Sequence, residues 1–219
     1  SLDKVLPKYP PFGKRMLMDN GWYRMLRNPK VTLVDEPITR ITANGVATAD
    51  GSEYPADVLV IATGFDVLRF LTAFEVHGRS GRSLREVWGD DDARAYLGAA
   101  MPDFPNFFCL YGPNLQAGHG GSLIFMIEMQ MRYIMDAVTK MLDGGFGALE
   151  IRQDVHDAYN EDVDREHQDM VWTHPGMRTY YRNSRGRIVV NSPYRNAAFF
   201  EMSREAKLED FVAEPRILA

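Results

Sequence analysis

One unbroken apolar run, at residues 58–61, stands between Asp57 and the small residues Ala62, Thr63 and Gly64. Because most of the run is β-branched and none of it is polar, it predicts a strand covered on both faces. Gly64 permits the positive φ with which a chain turns away from a strand end. The pattern therefore predicts a buried core strand that ends in a tight turn.

Alternating apolar and polar residues before this run predict a β-hairpin. The alternation covers residues 38–41 and 46–49, and Asn44-Gly45 between them is a strong hairpin-turn sequence. Asp50-Gly51 predicts a second turn that leads towards residue 57. Two further elements are expected in this region: a strand at residues 30–35 and a short helix at residues 22–26 that packs on a core.

A helical pattern dominates the second half of the chain. Ser122 is a good N-cap for a long amphipathic helix that reaches Asp143, and Gly144-Gly145 closes it. A second helix is predicted at residues 153–169. The shorter elements are strands at residues 74–77, 95–99, 106–111 and 187–191 and helical segments at residues 84–88 and 204–211.

Composition limits the kinds of molecule that the chain is expected to bind. The chain has 219 residues, a net charge of −5 and 45% hydrophobic residues, which is typical of a soluble globular protein. An acidic chain is a poor nucleic-acid binder, so no nucleic-acid partner is expected. The apolar stretch at residues 123–142 is interrupted by charges such as Glu128 and Arg132, so no membrane span is expected either.

The single cysteine and the histidines carry little predicted chemistry. Cys109 excludes an internal disulfide, fits a cytoplasmic location, and is expected to be a buried inert thiol. The histidines lack metal-site spacing, so no metal is predicted. His156 and His167 share a predicted helix, where solvated positions are expected and a shared face stays open. His119 is a loop histidine expected to be solvated, with a role as acid or base left open.

Several motifs carry a resemblance to one family. Asp57 followed by Ala-Thr-Gly-Phe at residues 62–65 resembles the D-x-x-x-x-A-T-G-[FY] segment of class B flavoprotein monooxygenases, which include Baeyer–Villiger and N-hydroxylating enzymes. Tyr-Pro-Pro-Phe-Gly-Lys-Arg-Met at residues 9–16 precedes it at the spacing of that family. Four later segments are most similar to the 4-hydroxyacetophenone monooxygenase type, and they lie at residues 117–125, 155–160, 170–176 and 180–187.

The resemblance implies an α/β fold, namely the C-terminal part of a two-dinucleotide-binding-domain, Rossmann-like flavoprotein. The chain contains no G-x-G-x-x-G, whereas the family carries two such fingerprints upstream of the aligned segment. We therefore expect a C-terminal portion of a longer enzyme, with a missing N-terminal FAD- and NADPH-binding portion as its partner. Residues 1–65 would be the last piece of the NADPH-binding domain and residues 66–219 the C-terminal part of the FAD-binding domain.

The resemblance also implies a reaction. In the intact enzyme, NADPH would reduce FAD, O₂ would form a flavin C4a-peroxide, and the peroxide would convert a ketone, with aryl ketones expected, into an ester or lactone. Two alternatives stay open: an N- or S-oxygenating flavin monooxygenase, and a non-catalytic binding module formed by the chain alone. The chain alone is expected to be inactive and to hold no FAD.

Two adjacent cations are the main candidates for chemistry. The resemblance assigns Lys14 to the 2′-phosphate of NADPH, and it assigns Arg15 to the catalytic stabilisation of the anionic peroxide and its ketone adduct. A fixed guanidinium suits such developing charge. The alternative is a pair of solvated surface charges.

The remaining candidates are cofactor-binding residues. By resemblance, the glycine-rich loop and helix start face the pyrimidine edge of the flavin, where unpaired N–H groups and the helix dipole favour negative charge. Trp172 would pack against the nicotinamide cofactor and line the substrate pocket. The alternatives are an ordinary capped helix and a core tryptophan. The full set of predicted cofactor-binding residues is Lys14, Thr63, Gly64, Phe65, Asn114, Gly120, Gly121, Ser122 and Trp172.

Overall fold

The computed structural model describes residues 4–118 and 120–216. Within these ranges the chain forms two compact units. The first contains residues 4–7 and 16–65, and the second contains residues 8–15 and the described residues from 66 onward. The assignment of residues 1–65 to an NADPH-binding domain and of residues 66–219 to an FAD-binding domain stays a prediction.

The first unit is built on a small antiparallel sheet. Helix α1 is Trp22–Met25, and strands β1 (Ile38–Ile41), β2 (Gly45–Thr48) and β3 (Glu53–Pro55) pair in the order β1-β2-β3. The predicted hairpin and second turn are confirmed. Gly45 is required at the hairpin because a Cβ atom there would lie 2.0 Å from the carbonyl oxygen of Tyr54.

The predicted core strand at residues 58–61 is wrong. These residues belong to no strand or β-bridge, and Val58 and Val60 are 78% and 84% exposed. The physical reason is that no strand in the described chain lies beside them, and an apolar run forms a strand only when a neighbouring backbone accepts its hydrogen bonds. Residues 30–35 also form no strand, and α1 buries none of its residues, contrary to the predicted core packing.

The second unit contains most of the helices. They are α2 (Leu84–Trp88), α3 (Leu123–Asp143), α4 (Gln153–His167) and α5 (Asn196–Met202), with 3₁₀ turns at Val171–Thr173 and Leu208–Asp210. Strand β4 (Phe146–Ile151) pairs antiparallel with β5 (Phe211–Pro215). No helix in the described part of the chain is long and apolar enough to cross a membrane.

Helix α3 begins and ends where the sequence predicts. Ser122 is its N-cap, since its Oγ accepts a hydrogen bond from the backbone N–H of Phe125 at 3.3 Å, and Gly144 follows its last residue. One face of α3 carries Met126, Met129 and Tyr133 into the largest core of this unit. The helix start is thereby held against the core.

Several predicted short elements of the second unit are wrong. Residues 74–77, 95–99, 106–111 and 187–191 form single β-bridges or turns instead of strands. Positive φ at Leu97, Asn106 and Tyr111 interrupts the extended conformation that a strand needs. The pattern also missed β4 and α5, and residues 204–211 contain a 3₁₀ turn instead of the predicted helix.

Candidate functional site

The glycine-rich loop before α3 has a backbone that other residues would not adopt easily. Gly120 and Gly121 have φ of +57° and +86°. A Cβ atom on Gly118 would lie 2.2 Å from Cζ2 of Trp172, and one on Gly121 would lie 2.7 Å from Nδ2 of Asn196. The loop therefore packs its bare backbone against these two side chains. His119, predicted as a solvated loop histidine, lies outside the described residues.

A pocket of about 440 Å³ opens beside this loop. It brings together three of the predicted cofactor-binding residues, Gly120, Gly121 and Trp172. Because the pocket lies at the first turn of α3, the positive end of the helix dipole is directed towards it. The other described lining residues are Ala117, Gly118, Met126, Met170, Ser192, Pro193, Tyr194, Arg195 and Asn196.

Trp172 forms a fixed wall of the pocket. It is 1% exposed, and its ring meets that of Tyr181 edge to face with 6.2 Å between centroids. Its carbonyl oxygen accepts a hydrogen bond from Nη2 of Arg182 at 2.6 Å. The residue is thus part of the core and part of the pocket lining at once.

Arg15 lies at the same loop. Its Nη1 donates a hydrogen bond to the carbonyl oxygen of Ala117 at 3.0 Å, and both residues belong to the second unit. Burial raises the pKa of the Tyr111 hydroxyl, and the positive charge of Arg15 opposes that shift. Arg15 is otherwise exposed, so the guanidinium combines a fixed anchor with access to solvent.

The segment that carries Arg15 is also held in place. A Cβ atom on Gly13 would lie 2.1 Å from Sδ of Met177, so glycine is needed for this close approach. Lys14 is exposed, and its Nζ lies 4.6 Å from the ring centroid of Tyr9. Lys14 and Arg15 therefore differ, because one stacks over a ring and the other reaches the loop.

The Ala-Thr-Gly-Phe residues belong to the first unit. Thr63, Gly64 and Phe65 are all exposed, and Phe65 is 95% exposed. Gly64 has φ of +85°, as the predicted turn requires. Their role as cofactor ligands stays a prediction, as does that of Lys14.

Asn114 has a different environment from the other predicted cofactor-binding residues. It is 2% exposed and has φ of +55°. Its Nδ2 donates to the carbonyl oxygens of Ile188 and Asn191, and its Oδ1 accepts from Nη2 of Arg187 at 2.8 Å. Both ends of the amide are therefore engaged within the protein.

The histidines are not solvated as expected. His156 is 9% exposed, and its Nδ1 lies 2.9 Å from Oδ1 of Asp157. His167 is 3% exposed, and burial lowers its pKa to about 4. The prediction failed because both side chains lie on the inner face of α4.

The expectation for the cysteine is confirmed. Cys109 is buried, and burial raises the pKa of its thiol to about 11. Within the described ranges, no group of three or more His, Cys, Asp or Glu residues is arranged to hold a metal ion.

Sequence reasoning missed the contacts that span the chain. No local sequence pattern indicated the bond between Arg15 and the Ala117 carbonyl, because these residues lie 102 positions apart. The bond between Arg187 and Asn114 was missed because they lie 73 positions apart. Asn196, which packs on Gly121, was missed for the same reason.

Sequence comparison finds monooxygenases over nearly the whole chain, although no family model matches it. The chain is 47% identical over 214 residues to an uncharacterized monooxygenase, y4iD, of Sinorhizobium fredii, covering 98% of this chain and 32% of the relative. It is 35% identical over 178 residues to a Baeyer–Villiger monooxygenase of Pseudomonas aeruginosa, covering 81% of this chain and 33% of the relative. The chain thus spans about a third of the length of these curated relatives.

Solved structures give the same result for the fold. A closed cyclohexanone monooxygenase matches with a TM-score of 0.82 and 26% identity, over 98% of this chain and 41% of its own. The OTEMO complex with FAD and NADP matches with a TM-score of 0.80 and 26% identity, over 92% of this chain and 38% of its own. The predicted fold class is therefore confirmed. By sequence and by fold, this chain is a relative of the flavin monooxygenases that include the Baeyer–Villiger enzymes, and it has the α/β fold of the C-terminal part of such a two-domain flavoprotein.

Proposed function

We propose that the full-length protein containing this chain is an FAD- and NADPH-dependent Baeyer–Villiger monooxygenase that converts ketones, aryl ketones in particular, into esters or lactones with O₂. The observation that carries the proposal is the hydrogen bond from Arg15 to Ala117, which sets a guanidinium at the glycine loop of the pocket. Relatives with Baeyer–Villiger activity in their names, and a neighbour solved with FAD and NADP, support the reaction class and both cofactors.

The loop fits the edge of a planar cofactor. Gly118 and Gly121 leave no space for a side chain, so the loop presents backbone, and the first turn of α3 presents N–H groups. Gly120, Gly121 and Ser122 are the residues proposed to hold the flavin edge, with Thr63, Gly64 and Phe65 as further cofactor contacts. When bound, FAD supplies the hydride acceptor and activates O₂.

Arg15 is proposed as the catalytic residue. Its guanidinium is always charged and carries five N–H donors, of which one bonds Ala117 in the described structure. We propose that the others stabilise negative charge that develops on the ketone oxygen and on the attacking oxygen. Such a preorganised donor acts without a reorganisation cost at the moment of reaction.

Lys14 and Trp172 are proposed to contact the nicotinamide cofactor. Lys14 is an exposed point charge suited to a phosphate group, and Trp172 offers a rigid aromatic wall. Asn114 is proposed to serve the cofactor loop through its backbone position, because its amide group is already engaged.

The test is to produce the full-length protein and supply NADPH, O₂ and a ketone. We expect a flavin absorption spectrum, ketone-dependent NADPH oxidation and an ester or lactone detected by mass spectrometry, with faster turnover of aryl ketones than of cyclohexanone. Amines and sulfides are the comparison substrates. A flavoprotein that forms only N-oxides or sulfoxides would support the alternative reaction and contradict this proposal.

A further inference from the structure

Arg187 is a buried cation with four partners. Its side chain is 9% exposed. Its Nε donates to Oδ1 of Asp164 at 2.7 Å, and its Nη1 donates to the carbonyl oxygen of Ala93 at 3.0 Å and lies 3.4 Å from Oδ1 of Asp92. Two carboxylates thus offset the cost of burying the charge. The remaining arm of the fork, Nη2, donates to the uncharged Oδ1 of Asn114 at 2.8 Å.

Asn114 uses that bond to hold an unusual turn. A non-glycine residue with φ of +55° needs support from its surroundings. Nδ2 of Asn114 donates to the carbonyl oxygen of Ile188 at 2.8 Å. The backbone N–H of Asn114 donates to the carbonyl oxygen of Val189 at 2.8 Å. The Arg187 bond fixes which end of the amide is the acceptor, and so directs Nδ2 to Ile188.

The same two segments continue to pair after Asn114. The backbone N–H of Gln116 donates to the carbonyl oxygen of Val190 at 3.0 Å. The backbone N–H of Ser192 donates to the carbonyl oxygen of Gln116 at 2.9 Å. The next residue is Ala117, whose carbonyl oxygen accepts the Arg15 hydrogen bond. Gly118 then lies against the Trp172 ring. The position of the pocket loop is therefore set at Asn114, three residues before Ala117.

We propose that Arg187 is a positioning residue for the oxygenation reaction, because through Asn114 it fixes residues 114–118 and with them the carbonyl oxygen that anchors Arg15. This inference rests on the proposed function. Arg187 does not itself line the pocket beside the loop. Its effect passes through Asn114 to the Ala117 carbonyl, and a displacement of that oxygen moves the guanidinium that stabilises the reacting oxygens.

A neighbouring arginine provides the matched control. Arg185 donates through Nη2 to Oδ2 of Asp92 at 2.6 Å, so it shares a carboxylate with Arg187. In the described structure the Asn114 side chain is hydrogen-bonded to Ile188, Asn191 and Arg187, and not to Arg185. Arg185→Met therefore perturbs the same ion cluster and leaves the Asn114 turn bonded.

The experiment compares Arg187→Lys, Asn114→Gly, Arg185→Met and wild type as full-length FAD-containing enzymes. Asn114→Gly removes the amide but accepts the positive φ, so it covers the case in which Arg187→Lys fails to fold. The readout is the ester formed per NADPH oxidised, with H₂O₂ measured as the uncoupled product. Amide hydrogen exchange over residues 112–118 reports, independently of activity, how stably the backbone hydrogen bonds of this segment are held.

In Arg187→Lys and Asn114→Gly we expect faster exchange at residues 112–118 and a drop of about ten- to a hundredfold in ester per NADPH, since small misplacements of a catalytic group have effects of this size. Arg185→Met should keep the wild-type ratio.

A purely structural role would lower the yield of folded enzyme but leave the ratio unchanged in the holoenzyme. An unchanged ratio in Arg187→Lys and Asn114→Gly, or an equal drop in Arg185→Met, would overturn the proposal. A wild type that makes no ester from any ketone would instead refute the proposed function.

Discussion

Adjacent residues of one short segment have separate tasks in the proposed enzyme. Arg15 reaches the pocket loop through Ala117, whereas Lys14 lies over Tyr9 and remains exposed. Both are cations, but only the guanidinium has a forked set of donors that allows one bond to the protein and others to a ligand. Substitutions of the two residues should therefore affect different steps.

Replacing Arg15 by Ala in the full-length enzyme should leave FAD reduction by NADPH nearly unchanged and abolish ester formation. Hydride transfer does not require an oxyanion donor, whereas oxygenation does. The lost stabilisation should be about 3–4 kcal/mol or more, by analogy with other oxyanion donors. Stopped-flow absorbance measures the reduction and mass spectrometry the ester. Arg15→Lys, which keeps the charge without the fork, should recover only part of the ester, and full oxygenation by Arg15→Ala would exclude Arg15 from the mechanism.

Lys14→Ala should raise KM for NADPH about ten- to a hundredfold and leave KM for NADH nearly unchanged. The 2′-phosphate distinguishes the two cofactors, and a charge-assisted contact contributes about 1.5–3 kcal/mol. The maximal rate should change little because the phosphate is remote from the hydride. Lys8→Ala, at an exposed lysine of the same segment, is the control. Equal losses with both cofactors would show that Lys14 supports folding or the flavin.

His167 should make the full-length protein less stable in mild acid. Burial is the main cause that holds its pKa at about 4, with Arg187 adding to the shift and Asp164 opposing it. In the unfolded chain the histidine has a pKa of about 6.5, so below that pH the unfolded state binds a proton that the folded state does not. The contribution of neutral His167 to the free energy of unfolding is therefore fully present above pH 6.5 and is lost as the pH falls towards 4. The difference between the two pKa values corresponds to a total loss of about 3 kcal/mol in the free energy of unfolding. Tm measured from pH 7 to pH 4.5 should fall more steeply in wild type than in His167→Gln, and parallel curves would contradict the prediction.

At the scale of elements, the pocket depends on a contact between a loop and a 3₁₀ turn. Gly118 lies against Trp172, which belongs to Val171–Thr173, and the loop leads directly into α3. The bare backbone of the loop allows the turn to approach, and the capped helix behind it keeps the loop from moving away. Pocket shape is thus set by close packing between elements.

Gly118→Ala should destabilise the protein by about 1–3 kcal/mol, the usual cost of overpacking a fixed site. The added Cβ would meet Cζ2 and Cη2 of Trp172, and these atoms are missing from phenylalanine. Trp172→Phe combined with Gly118→Ala should therefore recover part of the loss. Thermal unfolding of the two single variants and the double variant measures the coupling. Gly21→Ala is the control because a Cβ there meets no atom within 4 Å, and strictly additive effects would mean that the two residues do not clash.

Local signals in the sequence predicted the elements that depend on local interactions. Helix α3 and the Asn44-Gly45 hairpin were found because the Ser122 cap and the hairpin turn are encoded within a few residues, and α4 was found from its helical pattern without a side-chain cap. The apolar run at residues 58–61 was assigned wrongly because strand formation depends on a partner elsewhere in the chain, and the run at residues 95–99 was assigned wrongly because Leu97 has a positive φ that no local pattern shows. Of the site, the motifs indicated the loop and Trp172, while the bond between Arg187 and Asn114 joins residues that no local pattern connects.

At the scale of the whole molecule, the two units differ in how they use apolar residues. The second unit has three buried clusters, which contain residues such as Trp88, Tyr133 and Trp172. The first unit instead exposes much of its apolar surface, and Leu17 and Val60 are 86% and 84% exposed. Exposed apolar patches of this kind usually mark contact surfaces. This exposed surface supports the proposal that the chain works within a longer polypeptide. The chain matches about a third of the length of its curated relatives.

The 219-residue chain expressed by itself should purify without FAD. Dinucleotide pyrophosphates are held by backbone N–H groups of a G-x-G-x-x-G turn, and the chain contains no such sequence. The glycine loop before α3 would contact only the flavin edge, which leaves most of the cofactor without partners. Absorbance at 450 nm of the purified chain, compared with the full-length protein prepared in the same way, measures the difference. Near-stoichiometric FAD on the chain alone would show that residues 1–219 contain a complete flavin site, and the proposed need for an N-terminal portion would then be wrong.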